Sequence, residues 1–257
     1  IELMRKNGLA KADKKAGRIA ADGLIALQFS ANNKRGVIVE VNCETDFVAK
    51  GDDFKEFVGR VGQIALEAKP ESLDQLLTAA YGSGENVGEA RQRLVAKIGE
   101  NIAVRRYAAL DAAAGYVAGY RHGTRIGVLV EMEGGDADLA KDIAMHVAAS
   151  RPVCVASSDV AADVIEKEKE IFRAQAAESG KPADIVEKMV MGRVSKFLKE
   201  VTLLGQPFVK DPDVSVEKLL QQKKAKVIRF VRYEVGEGIE KQSTNFADEV
   251  MSAVRGS

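Results

Sequence analysis

A six-residue pattern occurs twice in this chain, as Gly36-Val-Ile-Val-Glu-Val41 and as Gly127-Val-Leu-Val-Glu-Met132, 91 positions apart. Such a duplication limits the fold more than any single motif, because a recurring unit must bury its apolar surface in the same way each time. Each copy runs into an acidic, amphipathic stretch that ends in Ala68-Lys69-Pro70 or in Ser150-Arg151-Pro152. Those ends lie only 82 positions apart, so the first copy carries nine extra residues, which the sequence assigns to Cys43-Glu-Thr-Asp-Phe-Val-Ala-Lys-Gly51.

Alternating and β-branched runs at 19–29 and 36–43, joined by Asn32-Asn33-Lys34-Arg35-Gly36, predict a hairpin. Phe54, Phe57, Val58, Val61, Ile64 and Ala65 recur at three- and four-residue spacing and predict a helix over 52–68. In the second copy Tyr116–Tyr120 and Arg125–Met132 flank a turn at His122-Gly123. Asp136 then opens a helix carrying Leu139, Ile143 and Val147. Residues 101–110 and 226–235 supply a third strand to each copy, and three strands under a helix is about the smallest sheet that stands alone. Two further helices are expected, Asp159–Ser179 with Val160, Val164, Ile165, Ile171 and Phe172, and Ala183–Val201 with Ile185, Met189, Val190, Phe197 and Leu198. Broken at Gly180-Lys181-Pro182, they predict a protruding antiparallel helical hairpin, a coiled coil.

The expected fold class is therefore α+β: two repeated three-stranded antiparallel sheet subdomains with covering helices, plus the inserted hairpin. The boundaries follow the same reading. Residues 1–18 are the end of a helix already under way and a linker, 19–110 the first core subdomain, and 111–158 the first part of the second. The helical hairpin occupies 159–204, and 205–257 hold the last strand and a C-terminal helix. Ile1-Glu-Leu-Met-Arg-Lys reads as a helix already under way, so an earlier N-terminal portion is expected.

Composition narrows the function. The 257 residues are 46% hydrophobic, enough for one or two cores, and 38 Lys and Arg balance 38 Asp and Glu, so the basic field expected of a nucleic-acid binder is absent. The sequence holds no uncharged run near the ~18 apolar residues of a membrane helix, and a cytoplasmic protein is expected. Cys43 and Cys154 make no metal-spaced pair and are expected to be buried thiols. Catalytic material is thin: His122 and His146 are the two histidines, with no HExxH and no GxSxG. His146, at helical spacing from Leu139 and Ile143, reads as a partly buried structural histidine. Gly82-Ser-Gly84-Glu-Asn-Val-Gly88 lacks the Lys-Ser/Thr tail of a phosphate loop and reads as a flexible linker. An enzyme, a metal site and a cofactor are all unexpected. Two rivals stand beside a protein-binding function. One is a ribosome- or RNA-associated factor using Arg5, Lys6, Lys11, Lys14, Lys15, Arg105 and Arg106; the other is a hydrolase built on Asp46 with His122 or His146.

The extra segment is where function is expected, because the second copy does without it. Thr45 or Asp46 can cap the helix that follows. Phe47 has two readings, a hydrophobic staple tucked into the core or a ring exposed for a partner.

Six blocks in order carry a resemblance: Val41-Asn-Cys-Glu-Thr-Asp-Phe-Val-Ala-Lys50, Lys97-Ile-Gly-Glu-Asn-Ile102, Ile126-Gly-Val-Leu-Val130, His146-Val-Ala-Ala-Ser150, Gly205-Gln-Pro-Phe-Val209 and Phe230-Val-Arg-Tyr-Glu-Val-Gly-Glu-Gly-Ile239. The chain resembles the bacterial translation elongation factor Ts family along essentially its whole length. That resemblance implies a guanine-nucleotide exchange factor that binds elongation factor Tu and speeds GDP release. It also implies an N-terminal three-helix domain, of which this chain would begin in the last helix. By motif match, Asp46 and Phe47 would reach the Mg²⁺ and phosphate side of the partner's nucleotide site, within a contact segment of Thr45, Asp46, Phe47, Val48 and Lys50. Ile98, Gly99, His122, Val209 and Lys210 would supply further contacts, Lys210 standing where relatives can carry an apolar Met. The helical hairpin would touch the partner away from the nucleotide. Direct nucleic-acid and membrane partners are not implied, and a homodimer is neither required nor excluded.

Overall fold

In this computed structural model, residues 15–178 and 180–240 are described. The helix expected at the chain start, up to Lys14, and the C-terminal helix expected past residue 240 lie outside the described residues. β1 (Asp22–Phe29) and β2 (Arg35–Cys43) form the expected antiparallel hairpin, with Asp22 opposite Cys43 and Phe29 opposite Gly36. β5 (Ile102–Asp111) adds to the free side of β2, giving the order β1-β2-β5. β6 (Tyr116–His122), β7 (Ile126–Glu133) and β10 (Lys226–Glu234) repeat that topology, with β7 central. Both central strands are the ones that carry the duplicated pattern.

The pattern has a packing explanation. Side chains alternate between the faces of a strand, so Val37, Val39 and Val41 face the helices on one side of β2 while Ile38 faces the second sheet on the other. Likewise Val128, Val130 and Met132 pack under a helix, and Leu129 meets Ile25, Ile38, Leu110 and Val117 between the sheets. A strand buried on both faces reads as a continuous apolar run, and that is how these two read. The glycine at the head of each copy is required by close approach. A Cβ at Gly36 would sit 2.7 Å from Cγ1 of Val117, and one at Gly127 would sit 2.5 Å from Cγ2 of Ile25. The glutamate in fifth place of each copy is buried and ion-paired to the third strand of its own sheet: Glu40 with Arg105 and Arg106, Glu131 with Arg229.

Helices cover the outer faces. α1 (Asp46–Lys50), α2 (Asp52–Ala68), α3 (Leu73–Thr78) and α4 (Val87–Ile98) surround the first sheet. The α2 stripe of Phe54, Phe57, Val58, Val61, Ile64 and Ala65 is buried as its spacing requires, each larger side chain contributing about 1.5–3 kcal/mol of transfer free energy. α5 (Ala137–Ser150), capped by the Asp136 carboxylate accepting from the Leu139 N–H at 2.8 Å, covers the second sheet. α2 and α5 both end on a left-handed residue, Lys69 and Arg151, each at φ 50° and each followed by a proline that stops the helix.

α6 (Ala162–Ala177) and α7 (Ala183–Val201) fold back on each other, joined by the Arg173–Glu187 ion pair at 3.1 Å and by a cluster of Ala176, Val190 and Val194. Two two-stranded ribbons complete the chain: β3 (Ala80–Gly82) with β4 (Glu85–Asn86), and β8 (Pro207–Phe208) with β9 (Asp211–Ser215), which leads into α8 (Val216–Gln222). The protein is a mixed α/β structure built on several small antiparallel sheets.

Five expectations need correction. Residues 82–88 are no flexible linker: Ser83 (φ 52°) and Gly84 (φ 76°) make the tight turn of the β3–β4 ribbon, and Asn86 and Glu89 form a reciprocal capping box on α4. The nine extra residues of the first copy do not all sit in its loop. The strand-to-helix connection is 44–51 in one copy and 134–136 in the other, and the remaining difference lengthens the strand and the helix. α6 begins at Ala162 after a 3₁₀ turn at Ser157–Asp159, and Ser179 lies outside the described residues. In the helical hairpin Ile165, Phe172, Val190 and Leu198 pack as expected, but Val164, Ile171 and Ile185 remain exposed, because a two-helix seam covers only part of each stripe. Cys154 is half-buried and Cys43 alone is fully enclosed.

Candidate functional site

The segment after β2 folds into a short helix of its own. The Thr45 hydroxyl oxygen accepts from the Val48 N–H at 3.4 Å as the N-cap, Asp46 occupies the first turn and Lys50 the last, matching the helix dipole. One turn apart, Lys50 Nζ donates to Asp46 Oδ2 at 2.6 Å. The hydrogen bond from Lys50 holds the Asp46 carboxyl below its ordinary range, so the group is ionised at neutral pH. Ala49 is buried and Val48 packs half-buried against the first core, anchoring one side of the helix. Phe47 is on the other side, 81% exposed. The staple reading of Phe47 is overturned: Val48 and Ala49 fill the inward positions and leave the ring outside.

A second segment meets this helix at its base. Glu100 Oε2 accepts from the backbone N–H groups of Glu44 and Thr45, both at 3.1 Å, and Oε1 accepts from the Thr45 hydroxyl at 2.7 Å. In return Glu44 Oε1 accepts from the Asn101 N–H at 2.6 Å. Just before Glu100, Gly99 ends α4 in a left-handed conformation (φ 86°) with its N–H on Val95, and Ile98 packs half-buried on the first core. Glu100, Glu44 and Asn101 were missed as site residues. Their signal was available in Lys97-Ile-Gly-Glu-Asn-Ile102, where a polar pair follows a helix-ending glycine.

His122 closes β6 at the same end of the sheets. Its Nδ1 lies 3.0 Å from the Tyr120 hydroxyl and it is exposed. The turn after it is tied to the start of β1 by the Arg125–Asp22 ion pair at 2.6 Å and by the Ile25 N–H donating to Thr124 O at 3.0 Å. Since Asp22 pairs with Cys43 and Cys43 with Ile102, the 44–50 segment, the 98–101 corner and the His122 turn share one end of the molecule. Val209 and Lys210 belong to a different layer, over α5. Lys210 Nζ bonds Asp142 Oδ1 at 2.5 Å, which gives this lysine an intramolecular partner, and Val209 is 42% exposed.

His146 holds that second patch in place. Far from partly buried, it is fully enclosed. Its Nδ1 accepts from the Val209 N–H at 3.1 Å, so the ring proton must reside on Nε2, which donates to Gln206 Oε1 at 2.9 Å. Gln206 Nε2 donates in turn to Glu200 O at 2.7 Å and Ser150 O at 3.3 Å. Burial pushes the His146 pKa below its ordinary 6.5. The unfolded chain therefore binds a proton that the native state refuses, and the stability from this ring, complete above about pH 6.5, is lost as pH falls toward the lower native value. A denaturant-midpoint series from about pH 7.5 to 5.5 should fall more steeply for the wild type than for His146→Asn; parallel curves would remove the ring from the pH dependence.

Neither rival reading finds its geometry among the described residues. Arg105 and Arg106 are committed to Glu40, Glu234 O and Glu237; of the other basic residues in the first rival Lys15 stands half-buried, and Arg5, Lys6, Lys11 and Lys14 lie outside the described residues. The hydrolase requires Asp46 beside a histidine, yet Asp46 bonds Lys50, His122 bonds Tyr120 and His146 is sealed. Among the described residues no group of three or more His, Cys, Asp and Glu is placed to hold a metal ion, and no helix is long and apolar enough to cross a membrane.

Comparison with known proteins decides the family, for residues 44–237 match the family model described as Elongation factor TS. The chain belongs to the elongation factor Ts family. Its matched range contains every site residue named above from Thr45 to Lys210. All 257 residues align at 62% identity with the Elongation factor Ts of Methylococcus capsulatus, covering 88% of that protein. Over the whole chain the identity is 60% with the Elongation factor Ts proteins of Thioalkalivibrio sulfidiphilus and Alkalilimnicola ehrlichii, covering 87% and 88% of their lengths. Within the elongation factor Ts family, then, this chain presents an exposed Phe47 and an ionised Asp46 on a short helix built between the first strand pair and its covering helix.

Proposed function

We propose that this chain is a cytoplasmic guanine-nucleotide exchange factor for elongation factor Tu, and that Asp46 and Phe47 are the parts that act on the nucleotide site. Membership in the elongation factor Ts family supplies the activity. The single observation supporting the site is a large aromatic ring left 81% exposed beside a paired, ionised carboxylate on a short capped helix. A singly exposed apolar residue is ordinary, so the weight lies in its setting: Phe47 is the one exposed Phe or Tyr among the described residues, and it sits on a helix for which the shorter connection of the second copy has no room.

The physics of release fits those two groups. A nucleotide bound at nanomolar affinity is held by about 12 kcal/mol, much of it through Mg²⁺ and backbone amides around the phosphates. Mg²⁺ demands near-octahedral geometry, so a small shift in its surroundings loosens it. The Phe47 ring supplies apolar contact area to drive a wedge between partner side chains, and the Asp46 carboxylate disfavours phosphate and competes for the waters of the ion. Distorting the partner costs free energy that contacts elsewhere must offset, a role for Ile98, Gly99, His122, Val209 and Lys210. Linkage makes the effect mutual: by whatever factor this protein weakens GDP, GDP weakens this protein's hold on the partner.

In the same reading the units 19–110 and 111–158 with 205–257 are related subdomains of a duplicated scaffold. The α6–α7 pair at 159–204 is a coiled coil that touches the partner away from the nucleotide.

The test is stopped-flow release of a fluorescent GDP from elongation factor Tu with rising concentrations of this chain. Acceleration that saturates supports the reading, and its absence defeats it. Val209→Ala separates holding from acting. Loss of its two methyl groups removes about 1 kcal/mol of contact, so half-saturation should move roughly fivefold while the maximal release rate stays within experimental error. A fall in the maximal rate would instead place Val209 in the acting group.

A further inference from the structure

We propose that Glu100 is the positioning residue for exchange, a carboxylate brace that sets the orientation of the helix bearing Asp46 and Phe47. The inference rests on the reading that this helix acts on the partner's nucleotide site. α1 is five residues long and too short to hold its shape unaided. Its inward side is anchored by Ala49 and Val48, but its N-terminal end, which carries Asp46 and Phe47, is fixed by Glu100.

One carboxylate takes three donors there: the N–H groups of Glu44 and Thr45 on Oε2 and the Thr45 hydroxyl on Oε1. The last of these has a directional consequence. Thr45 owns a single hydroxyl hydrogen, and with that hydrogen on Glu100 at 2.7 Å, a lone pair is turned toward the Val48 N–H at 3.4 Å. Glu100 thus orients the N-cap as well as the backbone before it. The reciprocal bond from the Asn101 N–H to Glu44 Oε1 closes a two-way clasp between segments 44–45 and 100–101. Asn101 Nδ2 continues the clasp to Arg18 O at 2.7 Å.

A wedge transmits force only if its base does not yield, and displacement of an acting group by about 1 Å can cost on the order of 100-fold in rate. Removing the brace therefore touches the acting step more than the holding contacts. In the fluorescent-GDP assay, run where circular dichroism shows each protein fully folded, Glu100→Ala should lower the maximal release rate roughly 10-fold. Its half-saturating concentration should move less than about threefold, because Val209, Lys210 and the α6–α7 pair still bind. Glu100→Gln, whose amide oxygen still accepts, should recover part of the rate. A role confined to fold stability gives wild-type kinetics once the protein is folded, and a role in holding the partner gives the opposite split, a higher half-saturation at unchanged maximal rate. That split, or an Ala variant with wild-type kinetics, overturns the brace while leaving the exchange reading intact. A wild-type chain that fails to accelerate release at all removes the exchange reading, and the brace with it.

Discussion

Phe47→Ala should slow catalysed GDP release by roughly 30-fold or more at saturating concentration, the equivalent of about 2 kcal/mol, the loss usual for an aromatic hot spot. The same change should leave the protein's own unfolding midpoint unmoved. Both halves follow from one observation. The ring is 81% exposed, so its removal opens no cavity and unburies nothing in the free protein. Its neighbours explain the exposure, because Val48 and Ala49 fill the inward positions of the five-residue helix and Asp46 is held by Lys50. If the ring meets the partner chiefly in the strained, nucleotide-releasing complex, its loss lowers the maximal rate more than it weakens binding. Stopped-flow release gives the rate, a pull-down or calorimetric titration gives the affinity, and thermal unfolding gives the stability. An unchanged maximal rate for both Phe47→Ala and Asp46→Ala would take this helix out of the mechanism.

The largest effect on stability is expected at Glu40. Its carboxylate is fully buried and accepts from Arg105 Nη1 at 3.1 Å, from Arg106 Nε and from the Gly236 N–H at 2.8 Å. Those partners come from β5 and from the turn after β10, so one side chain ties the first sheet to the last strand of the second. Replacing it with alanine takes the buried acceptor from two guanidinium groups, which keep their contacts to Glu234 and Glu237, and from the Gly236 amide. Breaking a buried ion pair on one side costs about 3–5 kcal/mol. The two arginine side chains keep about a quarter of their surface in water, so the low end, about 3 kcal/mol, is expected. Glu40→Gln should lose less, since its amide oxygen still accepts. Equilibrium urea unfolding measures both. An alanine variant within about 0.5 kcal/mol of wild type, the range of ordinary surface substitutions, would show that the tie is not needed.

The two glutamates of the duplicated pattern also show how much could be read in advance. Gly36, Ile38 and Glu40 looked like a strand motif in the sequence, and Gly127, Leu129 and Glu131 like its echo. The strands of the two three-stranded sheets, their hairpins and the α2 and α5 stripes were legible, because period-2 and period-3.6 burial leaves a direct trace in residue type; the side of each hairpin that the third strand joins, and the two short ribbons, were not. Why each copy carries a glycine at its head and a glutamate in fifth place was not legible, since both depend on the opposite sheet and on arginines brought in from far along the chain. The glycine run at 82–88 misled for a related reason. Glycine marks a flexible linker and a tight left-handed turn alike, and only the pairing of Ala80 with Asn86 tells them apart.

At the site, local chemistry narrowed the helix cap to Thr45 or Asp46; the structure selects Thr45, on a five-residue helix of its own ahead of the expected one. Composition and motif order were enough to point away from an RNA-binding surface and toward a protein partner, because charge balance and short-range spacing are written along the chain. The tertiary structure alone decided that Phe47 faces solvent, that Glu100 grips the backbone at Glu44 and Thr45, and that His146 is a sealed acceptor for the Val209 N–H. For Glu100 and His146 the donor that is reached lies 55 to 63 residues away in sequence; for Phe47 the inward places go to Val48 and Ala49, but which side of that short helix turns inward is set by the core it packs on. Periodicity reports a residue's own side of a helix or strand; only packing determines what stands on the other side.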